Sequence, residues 1–361
     1  MLIFLFLAIY LVILDTCIPE RLKMKKSIWA SLGFVMILAL RSPYCGLDVT
    51  GSTSAIMPAS YGGVFLSMHL FSFRDIITSP GIVNGGFETG WLLLTKFISL
   101  FTNNLQLYLA IIALLHFIPI AYIIGKYSSN IILSYFIFAG LGFYIHFFSG
   151  IRQMMALSVL LLAFDQLYNK RYLWFCLIVI IASTIHSSAL LFIVLLPLSF
   201  IHISSLFSIV VLGGLIILSP IYVNIVSRVL DLFFESNYLQ YLNEGGQAIT
   251  LLFIFAILYL TSFLNKENSI KNNLLRIVVF TGVVCQSLGM AGAGSITRIG
   301  YYFNVYFMLL LPEVVVSFQR NVRILVTIVA IILLSVFFTL ITTDSSGIIP
   351  YKFFWQAPVV Y

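Results

Sequence analysis

The chain of 361 residues carries very little charge and has no long polar stretch. Only 9% of its residues are Asp, Glu, Lys or Arg, whereas 61% are hydrophobic, and its mean hydropathy is +1.10. Soluble globular domains contain about 25% charged residues, so this composition excludes a soluble fold. The apolar runs are continuous and do not alternate with polar residues, which excludes a transmembrane barrel. The sequence therefore predicts an all-α polytopic membrane protein.

Several chemical signatures are also missing. The four cysteines form no C-x-x-C pair, so we expect neither a disulfide framework nor a thiolate metal site. No D-x-D motif occurs and the histidines lack ligand spacing, so we predict no metal and no cofactor. No internal repeat is visible, which disfavours a transporter built from inverted repeats.

The distribution of the few charges predicts the topology. The first residues are uncharged and no cleavage site follows, so a cleaved signal peptide is not expected. A basic cluster at 21–26 follows the first apolar run. It places the loop that contains it in the cytoplasm and the N-terminus outside. Basic cytoplasmic loops also explain much of the net charge of +7 without a nucleic-acid partner. The apolar runs that are able to cross a membrane are approximately 1–17, 27–40, 105–125, 131–148, 152–168, 203–226, 247–264, 273–291, 298–318 and 323–342.

We expect about 10–12 transmembrane helices in a single domain, residues 1–361, with external loops at 41–104 and 227–246. Segment 90–101 is too short to span and is predicted to be re-entrant or interfacial. Segment 172–201 is long for one crossing and short for two. One possibility is a pair of helices broken at His186, which enters and leaves from the cytoplasmic side. The other is one long tilted helix, in which case the helix break lies further along the chain, at Gly213-Gly214 or Ser219-Pro220.

Six ionisable residues interrupt the apolar runs on the predicted external side. Charge near a hydrocarbon core is costly and usually marks a functional site. A guanidinium at a helix N-terminus suits an anion, and a histidine suits proton transfer near neutral pH. Structural roles are the alternatives: a snorkelling arginine, a local Arg–Asp pair, a helix-capping carboxylate, a hydrogen-bonded histidine and a tight turn. The six residues are Arg41, Asp48, Glu88, Arg152, His186 and Arg298.

Four motifs in order resemble a known family. They are R-x6-D at Arg41, F-E-x-G-W at 87–91, S-G-x-R-Q-x-x-A at 149–156 and I-A-x-x-x-H-S-S-A at 181–189. Together with the closing IIPYKFF they resemble the EpsG-type branch of the Wzy-like bacterial polysaccharide polymerases. The resemblance runs from about Arg41 to the end of the chain.

The resemblance implies a metal-independent membrane glycosyltransferase with GT-C-like architecture. It would lie in the bacterial inner membrane with its active site facing the periplasm. The donor and acceptor would be oligosaccharide repeat units on undecaprenyl pyrophosphate, and a chain-length regulator and a flippase are conceivable partners. Predicted pyrophosphate-binding residues are Arg152, Arg41 and Arg298. The candidates for the base are Glu88 first, His186 second and Asp48 third, with Gln153, Ser187 and Ser188 in support.

Two other functions remain open at this point. An O-antigen ligase or another lipid-linked glycosyltransferase would need the same arginines and differ only in its acceptor. A flippase for lipid-linked sugars would line a midplane cavity with charges and show repeat symmetry, whereas here the charges gather at one predicted face.

Overall fold

The computed structural model describes residues 2–50, 59–83, 86–218, 245–267, 269–289, 294–342 and 347–356. These residues form α-helices and short 3-10 turns, and the described part of the chain contains no β-strand beyond an isolated bridge between Arg41 and Phe353. The helices are α1 Leu2–Cys17, α2 Lys23–Leu40, α3 Leu47–Thr50, α4 Tyr61–Ser67, α5 Phe73–Thr78, α6 Thr89–Ser99, α7 Leu105–Tyr127, α8 Ile131–Gly140, α9 Ile151–Tyr168, α10 Tyr172–Ile185, α11 Leu195–Leu198, α12 Ser205–Ile217, α13 Gly245–Thr261, α14 Ile270–Gly289, α15 Gly294–Asn304, α16 Phe307–Ser317 and α17 Arg320–Ile341. The protein is therefore an all-α polytopic membrane protein, as its composition predicts.

Within the described residues, three stretches of helix are long and apolar enough to cross a membrane by length and composition: Leu105–Tyr127, Arg298–Ser317 and Arg320–Ile341. The helices α1 and α2 qualify together as a fourth, although they are bent by 113° at the break between them. The larger number of 10–12 crossings stays a prediction. The run at 27–40 does extend into its N-terminal flank, since α2 begins at Lys23.

The helix in one of the predicted membrane-crossing runs is shorter than the run itself. The apolar stretch 131–148 does not form one helix, because α8 stops at Gly140 and Gly142 takes φ 88°, the left-handed conformation that terminates helices. A 3-10 turn over Phe143–Phe147 follows. This turn leads into the start of α9.

The segment 172–201 is broken where the histidine interrupts it. Helix α10 ends at Ile185, and a 3-10 turn over Ser187–Val194 follows. The ring centroids of Tyr172 and Phe200, at the two ends of the segment, lie 5.6 Å apart, so the two ends of the segment lie side by side. The prediction of a broken pair is confirmed. Gly213 and Gly214 lie inside α12, and Ser219-Pro220 lies outside the described residues.

Contacts group the chain into two compact units: residues 1–165, 173–190 and 327–361 form the first, and 166–172 with 191–326 form the second. In the first unit α2 and α7 run antiparallel. Gln106 at the start of α7 donates to the carbonyl of Arg41 (3.0 Å), while Lys23 at the start of α2 donates to the carbonyl of Ser128 (3.0 Å). The 18 residues of α2 span about 27 Å, so these contacts mark opposite ends of the unit.

Charge is distributed unequally between those ends. At the Lys23 end, the Nζ of Lys26 is buried and bonds to Asp15 (2.8 Å) and Glu20 (2.6 Å), and Lys126 pairs with Asp165 at 2.6 Å. Asp165 lies near the end of α9, whereas Arg152 lies in its first turn. The unit therefore has a lysine-rich end, which the positive-inside rule predicts to be cytoplasmic, and an opposite end that holds the candidate site.

The described residues of the predicted external loop 41–104 include a small apolar core. Helices α4–α6 contribute to this core, and Lys96 is buried and donates to the carbonyl of Met68 at 2.9 Å. Ser72 and Asp75 form a capping box at the start of α5. The short helix predicted near 90–101 is α6. The other predicted external loop, 227–246, lies almost wholly outside the described residues.

Candidate active site

The carboxylate of Glu88 joins three segments that are far apart in sequence. Its Oε2 accepts a charge-assisted hydrogen bond from Nη1 of Arg152. Its Oε1 lies 3.0 Å from Nδ1 of His186 and accepts the backbone N–H of Ser187 at 3.0 Å. All three side chains are partly buried, with Glu88 21%, Arg152 19% and His186 26% exposed. A single anion therefore holds a guanidinium and an imidazole at a surface that a ligand is able to reach.

Aromatic rings support the guanidinium from one side. The Arg152 guanidinium carbon lies 4.2 Å from the ring centroid of Phe87, and its Nε donates to the hydroxyl of Tyr61 at 3.3 Å. The Phe87 and Tyr61 rings stack with centroids 5.2 Å apart, and the buried Trp91 meets Tyr61 edge-on. Burial raises the pKa of Tyr61, so its hydroxyl stays protonated. Arginine is well suited to such stacking because its guanidinium is planar.

The local sequence explains why these groups meet. Glu88 is the N-terminal flanking residue of α6, and the Cβ of an alanine at Gly90 would lie 2.7 Å from the carbonyl oxygen of Thr184. Only a glycine allows α6 to approach the end of α10 so closely. Because α10 stops at Ile185, the backbone N–H of Ser187 is available to Glu88. The F-E-x-G-W motif and the helix break thus form one structural unit.

The environment keeps the carboxylate ionised. Burial raises the pKa of Glu88, but hydrogen bonds from His186 and Ser187 and the charge of Arg152 outweigh it and lower the pKa to about 2. A carboxylate accepts only, so Nδ1 of His186 is assigned the proton. Nε2 is then the accepting nitrogen, and within the described part of the chain no side chain or backbone group bonds to it. The arrangement is able to take up a proton at Nε2 and to offer a cation at Arg152.

The other predicted site residues have different surroundings. Arg41 is 2% exposed and its Nη1 donates to the carbonyl of Phe148 at 2.6 Å, away from Glu88. Asp48 is exposed in α3, and its charge acts on both Arg41 and Tyr61. Arg298 is exposed in α15 and belongs to the second unit. Gln153 is buried beside Arg152, and Ser188 follows the Ser187 amide in the 3-10 turn.

Two residues that contact Arg152, Tyr61 and Phe87, were not among the predicted site residues. Tyr61 stood alone in the loop, with no motif to mark it. Phe87 belongs to the F-E-x-G-W motif, where its position beside Glu88 was the available signal.

The described residues hold no group of three or more His, Cys, Asp and Glu side chains that would bind a metal ion. The Glu88–His186 pair supplies two potential ligands, but the guanidinium of Arg152 already neutralises the carboxylate. A second cation there would be repelled. Metal independence stays a prediction.

Comparisons with known proteins give one match. A sequence model of the EpsG family matches residues 59–353, which include Tyr61, Glu88, Arg152 and His186. No curated protein and no solved structure matches the chain.

Proposed function

The chain belongs to the EpsG family, and from this premise we propose that it is a polysaccharide polymerase that joins lipid-linked oligosaccharide repeat units. Family membership supports a polysaccharide polymerase-like role in a membrane. The finer proposal is that both substrates are carried on undecaprenyl pyrophosphate and that the reaction takes place on the outer face of the bacterial cytoplasmic membrane. The position of the site opposite the lysine-rich end of the first unit supports that orientation.

The proposed reaction is a glycosyl transfer. A hydroxyl oxygen of the acceptor unit forms a bond to the anomeric carbon of the donor sugar, and the bond from that carbon to the lipid pyrophosphate breaks. The hydroxyl proton leaves to a base, and the lipid pyrophosphate leaves with the bonding electron pair. Such a transfer needs a proton acceptor and a group that stabilises charge on the leaving pyrophosphate.

Each residue has a role that follows from its contacts. Arg152 stabilises the pyrophosphate, since a planar guanidinium binds phosphate oxygens with two parallel hydrogen bonds. His186 takes up the hydroxyl proton at Nε2, and Glu88 holds the ring in the required tautomer. A carboxylate with a pKa of about 2 is a weak base at neutral pH. We therefore assign Glu88 to orientation and His186 to proton transfer, which reverses the order expected from the sequence.

The observation that carries this proposal is the convergence of Arg152 and His186 on one carboxylate, from helices that begin and end at the same surface. A polymerase needs a leaving-group cation and a base within one sugar's width of each other, and the shared carboxylate provides that spacing. Arg298 stays a pyrophosphate-binding candidate and Asp48 the third candidate for the base, both predicted from the sequence.

The test is deletion of the gene in its host, followed by gel electrophoresis of the surface glycan. We expect the ladder of long chains to disappear while single repeat units still reach the surface. Loss of all surface glycan, with lipid-linked units trapped on the cytoplasmic side, would identify a flippase instead. Normal chain lengths with failure of a later attachment step would identify a ligase.

A further inference from the structure

The guanidinium of Arg41 is a buried cation that the proposed mechanism does not use. It is 2% exposed, its Nη1 donates to the carbonyl of Phe148 at 2.6 Å, and its carbon lies 5.0 Å from the centroid of the Phe148 ring. Phe148 lies four residues before Arg152, in the turn that leads into α9. Arg41 therefore holds the backbone immediately upstream of the site arginine.

Two other groups hold the same turn. The carbonyl of Ile151, the residue before Arg152, lies 3.2 Å from Nε2 of the buried His116 in α7. Gly46 has φ +92°, and a Cβ there would clash with the carbonyl oxygen of Phe148. The turn is thus fixed at the carbonyls of Phe148 and Ile151, and Arg41 and Gly46 both pack against that of Phe148.

The C-terminal segment closes Arg41 from the surroundings. Arg41 forms an isolated backbone bridge with Phe353, and the next residue, Ser42, donates its N–H to the carbonyl of Lys352 at 2.8 Å. The N–H of Gly46 donates to the carbonyl of Gly347, also at 2.8 Å. These contacts hold the C-terminal segment against the backbone of 41–46, and because Arg41 is only 2% exposed, a lipid pyrophosphate has no access to it in this arrangement.

We propose that Arg41 is a positioning residue that acts through Arg152 and is not itself a pyrophosphate ligand. It fixes the turn 148–151, and the turn fixes the direction in which the side chain of Arg152 extends from α9 towards Glu88. The catalytic consequence rests on the proposed glycosyl transfer, whereas the structural link between Arg41 and the turn does not.

The first test is a double-mutant cycle on kcat/KM with purified protein and a lipid-linked repeat unit. Arg41→Met removes the donor but keeps an unbranched side chain, and an apolar replacement of a buried charge is compatible with folding. Because a displacement of about 1 Å can cost about 100-fold, Arg41→Met should lower kcat/KM by about that factor in the wild type. In an Arg152→Lys background the same change should cost less than about threefold, since residues that act through one group are not additive.

The second test is independent of activity. Hydrogen–deuterium exchange over residues 147–154 should be about fivefold faster in Arg41→Met, the factor that a typical net hydrogen bond represents. Gly46→Ala should raise exchange over the same residues, because it displaces the same carbonyl. The matched control is Arg276→Met: Arg276 is 3% exposed and also donates to backbone carbonyls, of Ser262 (3.0 Å) and Asn265 (2.6 Å), so it should leave exchange over 147–154 unchanged.

The outcomes distinguish the positioning role of Arg41 from the proposed glycosyl transfer. Equal losses of kcat/KM in both backgrounds would overturn the positioning role, because a second pyrophosphate ligand would behave in that way. Unchanged exchange over 147–154 in Arg41→Met would overturn it as well, whatever the enzyme catalyses. Faster exchange over 147–154 in Arg41→Met, together with no chain elongation by the wild-type protein, would support the positioning role and refute the proposed function.

Discussion

Replacement of Glu88 by glutamine is the perturbation that acts most directly on the site. Glutamine has the same size and keeps an oxygen that is able to accept from the Ser187 amide. It removes the negative charge, however, and its amide nitrogen would face the Nη1 of Arg152 donor to donor. A partly buried guanidinium would then lack its counter-charge and lose its acceptor, while the amide oxygen at the Oε1 position would still accept from Nδ1 of His186 and from the Ser187 amide.

The expected magnitude follows from the pKa of Glu88, which is lowered from 4.5 to about 2. This difference corresponds to about 3 kcal/mol of preference for the ionised form, and solvent contact at 21% exposure reduces the effect, so we expect about 2 kcal/mol of lost stability at neutral pH. Because the pKa is lowered on folding, the contribution is complete above pH 4.5 and is lost as the pH falls towards about 2.

The assay is thermal unfolding of purified wild type and Glu88→Gln, from neutral pH down to about pH 3, together with chain elongation at neutral pH. Wild type should be the more stable protein near pH 7, and the difference should shrink in acid. Elongation should fall by about 100-fold, the usual cost of removing one preorganised group. Equal stability of the two proteins at neutral pH, or near-normal elongation by the variant, would refute the assignment of Glu88 as the anion that organises the site.

Four further perturbations test the neighbouring groups. Arg152→Lys keeps the charge but loses the planar donor pair, so elongation should drop about 100-fold with normal membrane insertion; near-normal elongation would remove Arg152 from leaving-group stabilisation. His186→Asn keeps a donor at the Nδ1 position and removes Nε2, so the folded protein should be as stable as wild type but almost inactive, and retained activity would exclude His186 as the base. Gly90→Ala should uncouple α6 from α10 and impair both folding yield and elongation, whereas Gly81→Ala, at a position where a Cβ meets nothing within 4 Å, should be silent; equal behaviour of the two variants would contradict the close-approach argument. Chelator treatment of purified protein should leave elongation intact, and a loss restored by a divalent ion would contradict a metal-independent reaction.

The membrane class of the fold was predictable because composition alone determines it. The broken segment at His186 was also predictable, since the positions of basic loops require an even number of crossings there. The end of α8 was not, because a single glycine that takes a positive φ leaves no mark in an apolar run. The fold of the loop 41–104 was beyond the sequence as well, since its small core is assembled from short separate pieces.

Three residues of the candidate site were predicted from the sequence. Glu88, Arg152 and His186 were recognised because each is an ionisable residue at the end of an apolar run, and the structure brings the three together. The roles that we propose for them depend on distances that no pattern contains: because of the Nδ1 contact and the low pKa of Glu88, we propose His186 as the proton acceptor in place of Glu88. Arg41 shares the same sequence pattern, yet it is buried against a backbone carbonyl. Position at a helix end therefore identifies candidates but does not separate a partly exposed arginine from a buried one.

The most direct test of the proposed function uses purified protein in liposomes that contain lipid-linked repeat units and no other protein. The account predicts products of increasing length and release of one lipid pyrophosphate for each bond formed, both abolished in His186→Asn. Movement of intact units across the bilayer without any elongation would contradict it.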